Sequence, residues 1–163
     1  MSKSSVVSVL AIFLGLTATP ALAANDGFHP ASFCVRLSNS IRVNTDGTIE
    51  NTSTSSAGYV TCPIFTRDAS ATGTMRIVAR DFSESGAVDC KIYSRYYSGA
   101  SSYIQMDATG GSTGSWAVLS KTGVVVGFYS GTSPRTNWLQ CSIPAAATAY
   151  SGRSVLGAYY FID

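Results

Sequence analysis

The chain has 163 residues, 45% hydrophobic and 12% charged, enough for one ordinary domain and too short for the two-domain build of many larger enzymes. Eleven Lys and Arg against nine Asp and Glu leave a formal charge of +2 with no basic block. That excludes the electrostatic footprint a nucleic acid needs, and on overall charge it makes acidic polymers poor partners.

Met1 to Ala23 reads as a secretory signal. Lys3 supplies the positive start, Val6 to Leu16 the apolar stretch, and Ala21-Leu22-Ala23 the small-x-small cleavage site. The apolar run falls short of the roughly 20 residues that span a bilayer, so the expected mature product runs from Ala24 to Asp163. It is expected to be one domain, secreted or periplasmic, with no transmembrane segment.

Period-two alternation recurs along this remainder between clusters of turn residues, and no window sustains a 3.6-residue period. Phe33, Val35 and Leu37 alternate first. Ile41 and Val43 run into Asn44-Thr45-Asp46-Gly47, a tight-turn signal because Gly accepts positive φ, and Ile49 starts the return. Tyr59 to Phe65 follows, then Thr74 to Phe82, with Met75, Ile77 and Ala79 on one side and Arg76, Val78 and Arg80 on the other. Val88, Cys90 and Ile92 alternate with Asp89 and Lys91 as the clearest half-buried strand. Tyr103 to Asp107, Ser115 to Leu119, Val124 to Tyr129, Asn137 to Ile143 and Ser154 to Ile162 complete about ten strands, and only Pro144 to Tyr150 has room for a helical turn. One flat sheet of that many strands leaves a face wet, so the expected fold is all-β: an antiparallel β-sandwich, immunoglobulin-like or jelly-roll-like. The Ser/Gly-rich stretches 51–58, 98–102 and 109–115 read as loops inside that one domain.

Four cysteines, Cys34, Cys62, Cys90 and Cys141, in an exported chain predict two disulfides. Cys90 shares parity with Val88 and Ile92, and Cys141 with Leu139 and Ile143, so both should face inward and bridge across the core. Cys34 is then left with Cys62, although its own parity matches Ser32 and Arg36 rather than the apolar Phe33 and Val35.

Four short segments fall into a familiar order: Ser32-Phe33-Cys34-Val35, Cys62-Pro63-Ile64 followed by Arg67-Asp68, Val88-Asp89-Cys90, and Cys141-Ser142-Ile143-Pro144. In this the chain resembles a group of small secreted four-cysteine proteins of soil-dwelling Gram-negative bacteria. The resemblance implies an exported β domain whose recurring residues are scaffold, and it carries no activity, substrate or catalytic residue.

Chemistry is scarce. His29, the only histidine, sits near the start of the mature chain beside Pro30, where chain ends are often mobile, and reads as structural or incidental rather than catalytic. No nucleophile elbow precedes a helix, and with the cysteines oxidised no zinc set remains, so neither catalytic residues, metal nor cofactor is expected. Asp81, Glu84 and Asp89 flank one predicted hairpin and could approach closely, as a glycosidase or a calcium site would need, although the spacing matches no Ca²⁺ loop motif and a solvated turn is the plainer reading. Arg76 and Arg80 share a strand face that could grip an anion or simply be wet.

The segment Arg95 to Tyr103 places Tyr96, Tyr97 and Tyr103 among Ser and Gly, a combination that supplies rigid contact area and adaptable hydrogen bonding. Trp116 and Trp138 read as core, and of Tyr159 and Tyr160 one must face outward. The expected function is non-enzymatic: a binding module for an extracellular glycan or other cell-envelope component. A structural envelope, matrix or pilus-like subunit is the alternative, and a carboxylate-dependent hydrolase the third reading.

Overall fold

A computed structural model describes residues 25–64, 71–83, 86–96, 98–106, 109, 114–126, 135–146 and 152–162. The signal segment, Arg67-Asp68, Glu84 and Tyr97 lie outside these residues. The described elements are β1 (Asn25–Pro30), a 3-10 turn (Ala31–Phe33), β2 (Val35–Arg36), β3 (Ile41–Val43), β4 (Ile49–Asn51), β5 (Gly58–Pro63), β6 (Ala71–Arg80), β7 (Asp89–Tyr96), β8 (Ser101–Gln105), β9 (Trp116–Val126), β10 (Arg135–Ile143) and β11 (Val155–Ile162).

The strands form two antiparallel sheets. Sheet A has the order β3-β4-β11-β6-β9, with β1 also paired to β11, and sheet B has the order β2-β5-β10-β7-β8. The pairing from β4 to β11 is nested: β7 with β8, β6 with β9, β5 with β10, and β4 with β11. This is one long hairpin rolled into a two-sheet jelly roll, the second of the two expected sandwich forms.

Alternation explains which face each strand buries. Met75, Ile77 and Ala79 of β6, Leu119 of β9, and Leu156, Tyr159 and Phe161 of β11 meet Val60, Cys62, Cys90, Ile92, Leu139, Cys141 and Ile143 of sheet B in one core. Tyr159 faces inward and Tyr160 does not. Tyr159 is fully buried with no hydrogen-bond partner for its hydroxyl, and burial pushes its phenol up to about 12.

The two disulfides are Cys34–Cys62 and Cys90–Cys141, as parity and elimination suggested, but neither crosses the core. Cys90 and Cys141 are direct cross-strand partners on β7 and β10, and Cys34 adjoins β2 beside β5, so both bonds lie within sheet B. Their Cα separations of 4.1 Å match the narrow pair spacing of an antiparallel ladder. Two inward-facing cysteines on adjacent strands reach each other sooner than either reaches a sheet about 10 Å away.

The parity conflict at Cys34 resolves in favour of the cysteine. Cys34 is 7% exposed while Val35 is 60% exposed, and Phe33 and Leu37 also point out. The expected strand from Phe33 to Leu37 is a 3-10 turn followed by two strand residues, because the disulfide sets which side faces in. The strands expected over 115–119 and 124–129 are, within the described residues, one strand, β9, carried past a register shift opposite Gly73 and Met75 by Gly123 at φ 67; residues 127–129 lie outside the described residues. His29 does not lie in a loose chain end: it pairs with Tyr159 in the β1–β11 ladder, their rings 5.4 Å apart.

The turn between β3 and β4 has the expected form. Asn44 N–H donates to the Thr48 carbonyl at 2.8 Å, Gly47 N–H donates to Asn44, and Gly47 sits at φ 82. Asp46 accepts from the Thr48 hydroxyl and the Thr48 N–H, which together hold its carboxyl below the usual range. Replacing both residues (Asp46→Ala/Gly47→Ala) removes the acceptor and forces a side chain into positive φ. The double variant is expected to lose about 1 to 2 kcal/mol in a urea melt; a midpoint equal to wild type would show that the turn is not what sets this hairpin.

Candidate functional site: an aromatic groove on the outer face of sheet B

The register of sheet B places its outward side chains in rows that cross the strands. Tyr59, Ser142 and Asp89 make one row; Val35, Thr61, Gln140, Lys91 and Gln105 the next; Pro63, Trp138, Tyr93 and Tyr103 the third; and Thr136, Arg95 and Ser101 the fourth. Neighbouring rows are two residues apart along each strand, about 7 Å. On the three inner strands the alternate positions are core: Cys90 and Ile92 under β7, Leu139 and Cys141 under β10, Val60 and Cys62 under β5, whereas β2 and β8 at the edges are exposed on both sides.

Trp138 and Tyr93 stack face to face, 5.3 Å between centroids and 7° between planes. Tyr103 tilts against Tyr93 at 5.7 Å and is 59% exposed. Beside this aromatic row lies a shallow depression of about 200 Å³ lined by Tyr59, Asp89, Lys91, Tyr93, Gln140 and Ser142. Two tyrosines line it together with an amide, a hydroxyl, a carboxylate and an ammonium group. Gln105 Nε2 donates to Asp89 Oδ1, which orients that carboxylate. Rings with hydroxyl-matching groups between them suit a ligand with both C–H faces and polar edges.

Of the sequence-predicted tyrosines, Tyr96 and Tyr103 are not brought together. Tyr103 joins the outer row, whereas Tyr96 has the parity of Cys90 and Ile92 and lies on the opposite side of β7. Tyr97 is outside the described residues. Trp138 is not core but part of the outer row, and Trp116 is 51% exposed on the outer face of sheet A, where a Cβ on Gly157 would come within 2.8 Å of its ring. Sequence reasoning missed Tyr59, Tyr93 and Trp138, although the signal was present. The alternation that turns Leu139 and Cys141 inward turns Trp138 outward, and the same holds for Tyr93 against Ile92 and Tyr59 against Val60.

The other candidates have structural roles or stand apart. Asp81 is buried and accepts from Ser83 N–H, Ser154 Oγ and Thr109 Oγ1 at 2.7 to 2.8 Å, while Asp89 faces outward on β7. The two therefore do not form a catalytic pair. Arg80 lies over the Phe82 ring at 4.2 Å and donates Nε–H to the Gly114 carbonyl, whereas Arg76 is exposed, so they do not act as one anion grip. Among the described residues there is no group of three or more His, Cys, Asp or Glu side chains placed to hold a metal, and no helix long and apolar enough to cross a membrane.

The jelly roll is similar to that of a family 6 carbohydrate-binding module. The structure of CsCBM6-3 from Clostridium stercorarium, in complex with cellobiose, superposes with a TM-score of 0.50 at 14% identity, over 84% of this chain and 93% of that one. The CBM22-1 xylan-binding domain of Paenibacillus barcinonensis Xyn10C gives 0.49 at 12% identity, over 86% and 96%. A family 6 module from Clostridium cellulolyticum, in complex with xylose, gives 0.47 at 12%, over 84% and 97%. At 14% identity the likeness to CsCBM6-3 shows the β-sandwich fold alone. No protein-family profile and no curated protein matches the sequence.

Proposed function

We propose that the chain is an exported, non-enzymatic module that binds a glycan on the outer face of sheet B. The observation that carries this reading is the depression between Tyr59 and Tyr93, with Gln140, Ser142, Asp89 and Lys91 between the rings. A pyranose presents C–H faces to aromatic rings and hydroxyl edges to amide and carboxylate groups, and a groove of this size holds about one sugar ring at a time. The fold likeness to a module solved with cellobiose supports the same reading. Two formed disulfides suit an oxidising compartment, as does the resemblance to small exported four-cysteine proteins. A pilus-like subunit would need a strand from a neighbour, whereas β4 to β11 each find their ladder partner within the chain.

Pull-down on cellulose, xylan, mixed-linkage β-glucan, alginate and polygalacturonate, followed by calorimetry on whichever is retained, tests this directly. Tyr93→Ala, and separately Trp138→Ala, should weaken the retained ligand by about tenfold or more, since central aromatics at recognition surfaces are commonly worth about 2 kcal/mol. Their melting temperatures should stay close to wild type because both rings stand on the outer face. Tyr96→Ala, with inward parity, should lower stability more than affinity. Retention of none of the five polymers, or affinity unchanged in both Tyr93→Ala and Trp138→Ala, would overturn the assignment.

A further inference from the structure

The charge on the outer face of sheet B differs from the near balance of the whole chain. β7 turns Lys91, Tyr93 and Arg95 outward at alternate positions, so a cation stands on each side of Tyr93, about 7 Å away along the strand. Lys91 Nζ lies 5.2 Å from the centroid of the Tyr103 ring. Asp89 is the carboxylate of this face among the described residues; the hydrogen bond from the neutral Gln105 amide leaves its charge in place, so Lys91 and Arg95 stand as two cations against one anion. The salt bridges formed among the described residues both end on Glu50, from Arg42 and Arg153, at the β3–β4 side of sheet A. Neither Lys91 nor Arg95 is neutralised in that way.

From this placement we infer that the ligand is a carboxylated glycan, a polymer containing uronic acid residues, that extends from the groove across the aromatic row, its rings packing on Tyr93 and Tyr103 and its carboxylates meeting Lys91 on one side of Tyr93 and Arg95 on the other. This rests on the reading of the face as a glycan site and adds the ligand's charge. A neutral sugar seated here strips water from two cations and returns no charge, which costs free energy. A carboxylate returns one. Each contact is exposed and individually weak, and it is screened by salt. A polymer with a carboxylate on every ring presents a new one at each register, so the charge term persists as the chain slides. Two cations are too few for the phosphate array of a nucleic acid, in line with the sequence expectation.

The test compares polygalacturonate and alginate with their carboxyl-reduced forms, which keep the backbone linkage and ring faces and lose only the charge. The native polymers should bind about tenfold more tightly than the reduced ones at low ionic strength, and the difference should shrink between about 20 and 200 mM salt. Lys91→Gln should abolish most of the preference and Lys91→Arg should keep it, both melting like wild type, while Tyr93→Ala should weaken native and reduced polymers alike. Equal binding of native and reduced forms, or a preference that survives Lys91→Gln/Arg95→Gln, overturns the charge assignment and leaves the glycan site standing. Binding of none of these polymers, nor of cellulose, xylan or β-glucan, overturns both.

Discussion

Reduction of the two disulfides is expected to unfold the protein or bring it to the edge of unfolding at room temperature. Cys34–Cys62 closes a separation of 28 residues and Cys90–Cys141 one of 51. In the chain-entropy model each removes about 4 kcal/mol worth of freedom from the unfolded chain. Together that is comparable to the 5 to 15 kcal/mol that separates folded from unfolded domains in general. The nested ladder makes the loss sharper. β5–β10 and β4–β11 join strands far apart in sequence, and their loop closures are entropically costly without a cross-link. A urea melt with and without reductant measures the effect, and the variant Cys90→Ala/Cys141→Ala should show about half of it. The denatured, unreduced chain should present no reactive thiol, since all four cysteines are bonded. A reduced protein with an unchanged midpoint would mean that the sheets hold without their staples.

The second large effect is expected at Asp81, whose carboxylate organises the rim of the sandwich where β6 ends. Its Oδ1 accepts from Ser83 N–H and Ser154 Oγ, and its Oδ2 from Thr109 Oγ1. The two hydroxyls in turn accept from backbone: Ser154 Oγ from Phe82 N–H and Thr109 Oγ1 from Val88 N–H. One side chain thus positions the exit from β6, the entry to β7 and the entry to β11. Asp81→Ala leaves three buried donors without their acceptor, at about 1 to 3 kcal/mol for each that water cannot reach. A total loss of about 3 to 5 kcal/mol is therefore expected in denaturant melts, with the slope unchanged. Asp81→Asn should cost less, because it keeps one oxygen acceptor and the shape. If Asp81→Ala melts within about 1 kcal/mol of wild type, the network is not structural and the carboxylate must be reconsidered as a functional group.

Asn51 shows why such residues escape a reading of the sequence. It ends a three-residue strand that is buried throughout, and its Nδ2 lies within 3.1 Å of the carbonyls of Ser56, Ile143 and Pro144. It thereby ties sheet A to the end of β10 in sheet B. Nothing in the local run Ile49-Glu50-Asn51 marks it, because its partners at Ile143 and Pro144 are more than 90 positions away. Asp81 is similar: alone it reads as a turn carboxylate, and only the approach of Ser154 and Thr109 makes it a buried hub.

The candidate site divides along the same line. Parity places Tyr59, Tyr93 and Trp138 on outward faces, and parity can be counted from the chain alone. The tyrosines of the segment from Arg95 to Tyr103 attract attention because they are adjacent in sequence, yet adjacent residues of a strand face opposite ways. Tyr103 on β8 pairs with Tyr93, an odd three positions from Tyr96 on β7, so Tyr96 and Tyr103 end on different sides of sheet B. Likewise the whole-chain charge of +2 says little about a face where Lys91 and Arg95 bracket an aromatic row.

Local alternation, turn chemistry and cysteine number are properties of short stretches, and they were enough for an all-β sandwich, two sequential disulfides and the Asp46-Gly47 hairpin. Strand order, the choice of jelly roll over immunoglobulin-like topology, and the juxtaposition of β5, β10, β7 and β8 that assembles one groove were decided by tertiary structure. The physical reason is that each strand can satisfy its backbone with any partner of suitable pattern. Which partner it takes depends on how all the inward faces pack together and on which cysteines meet, a condition that no segment carries by itself.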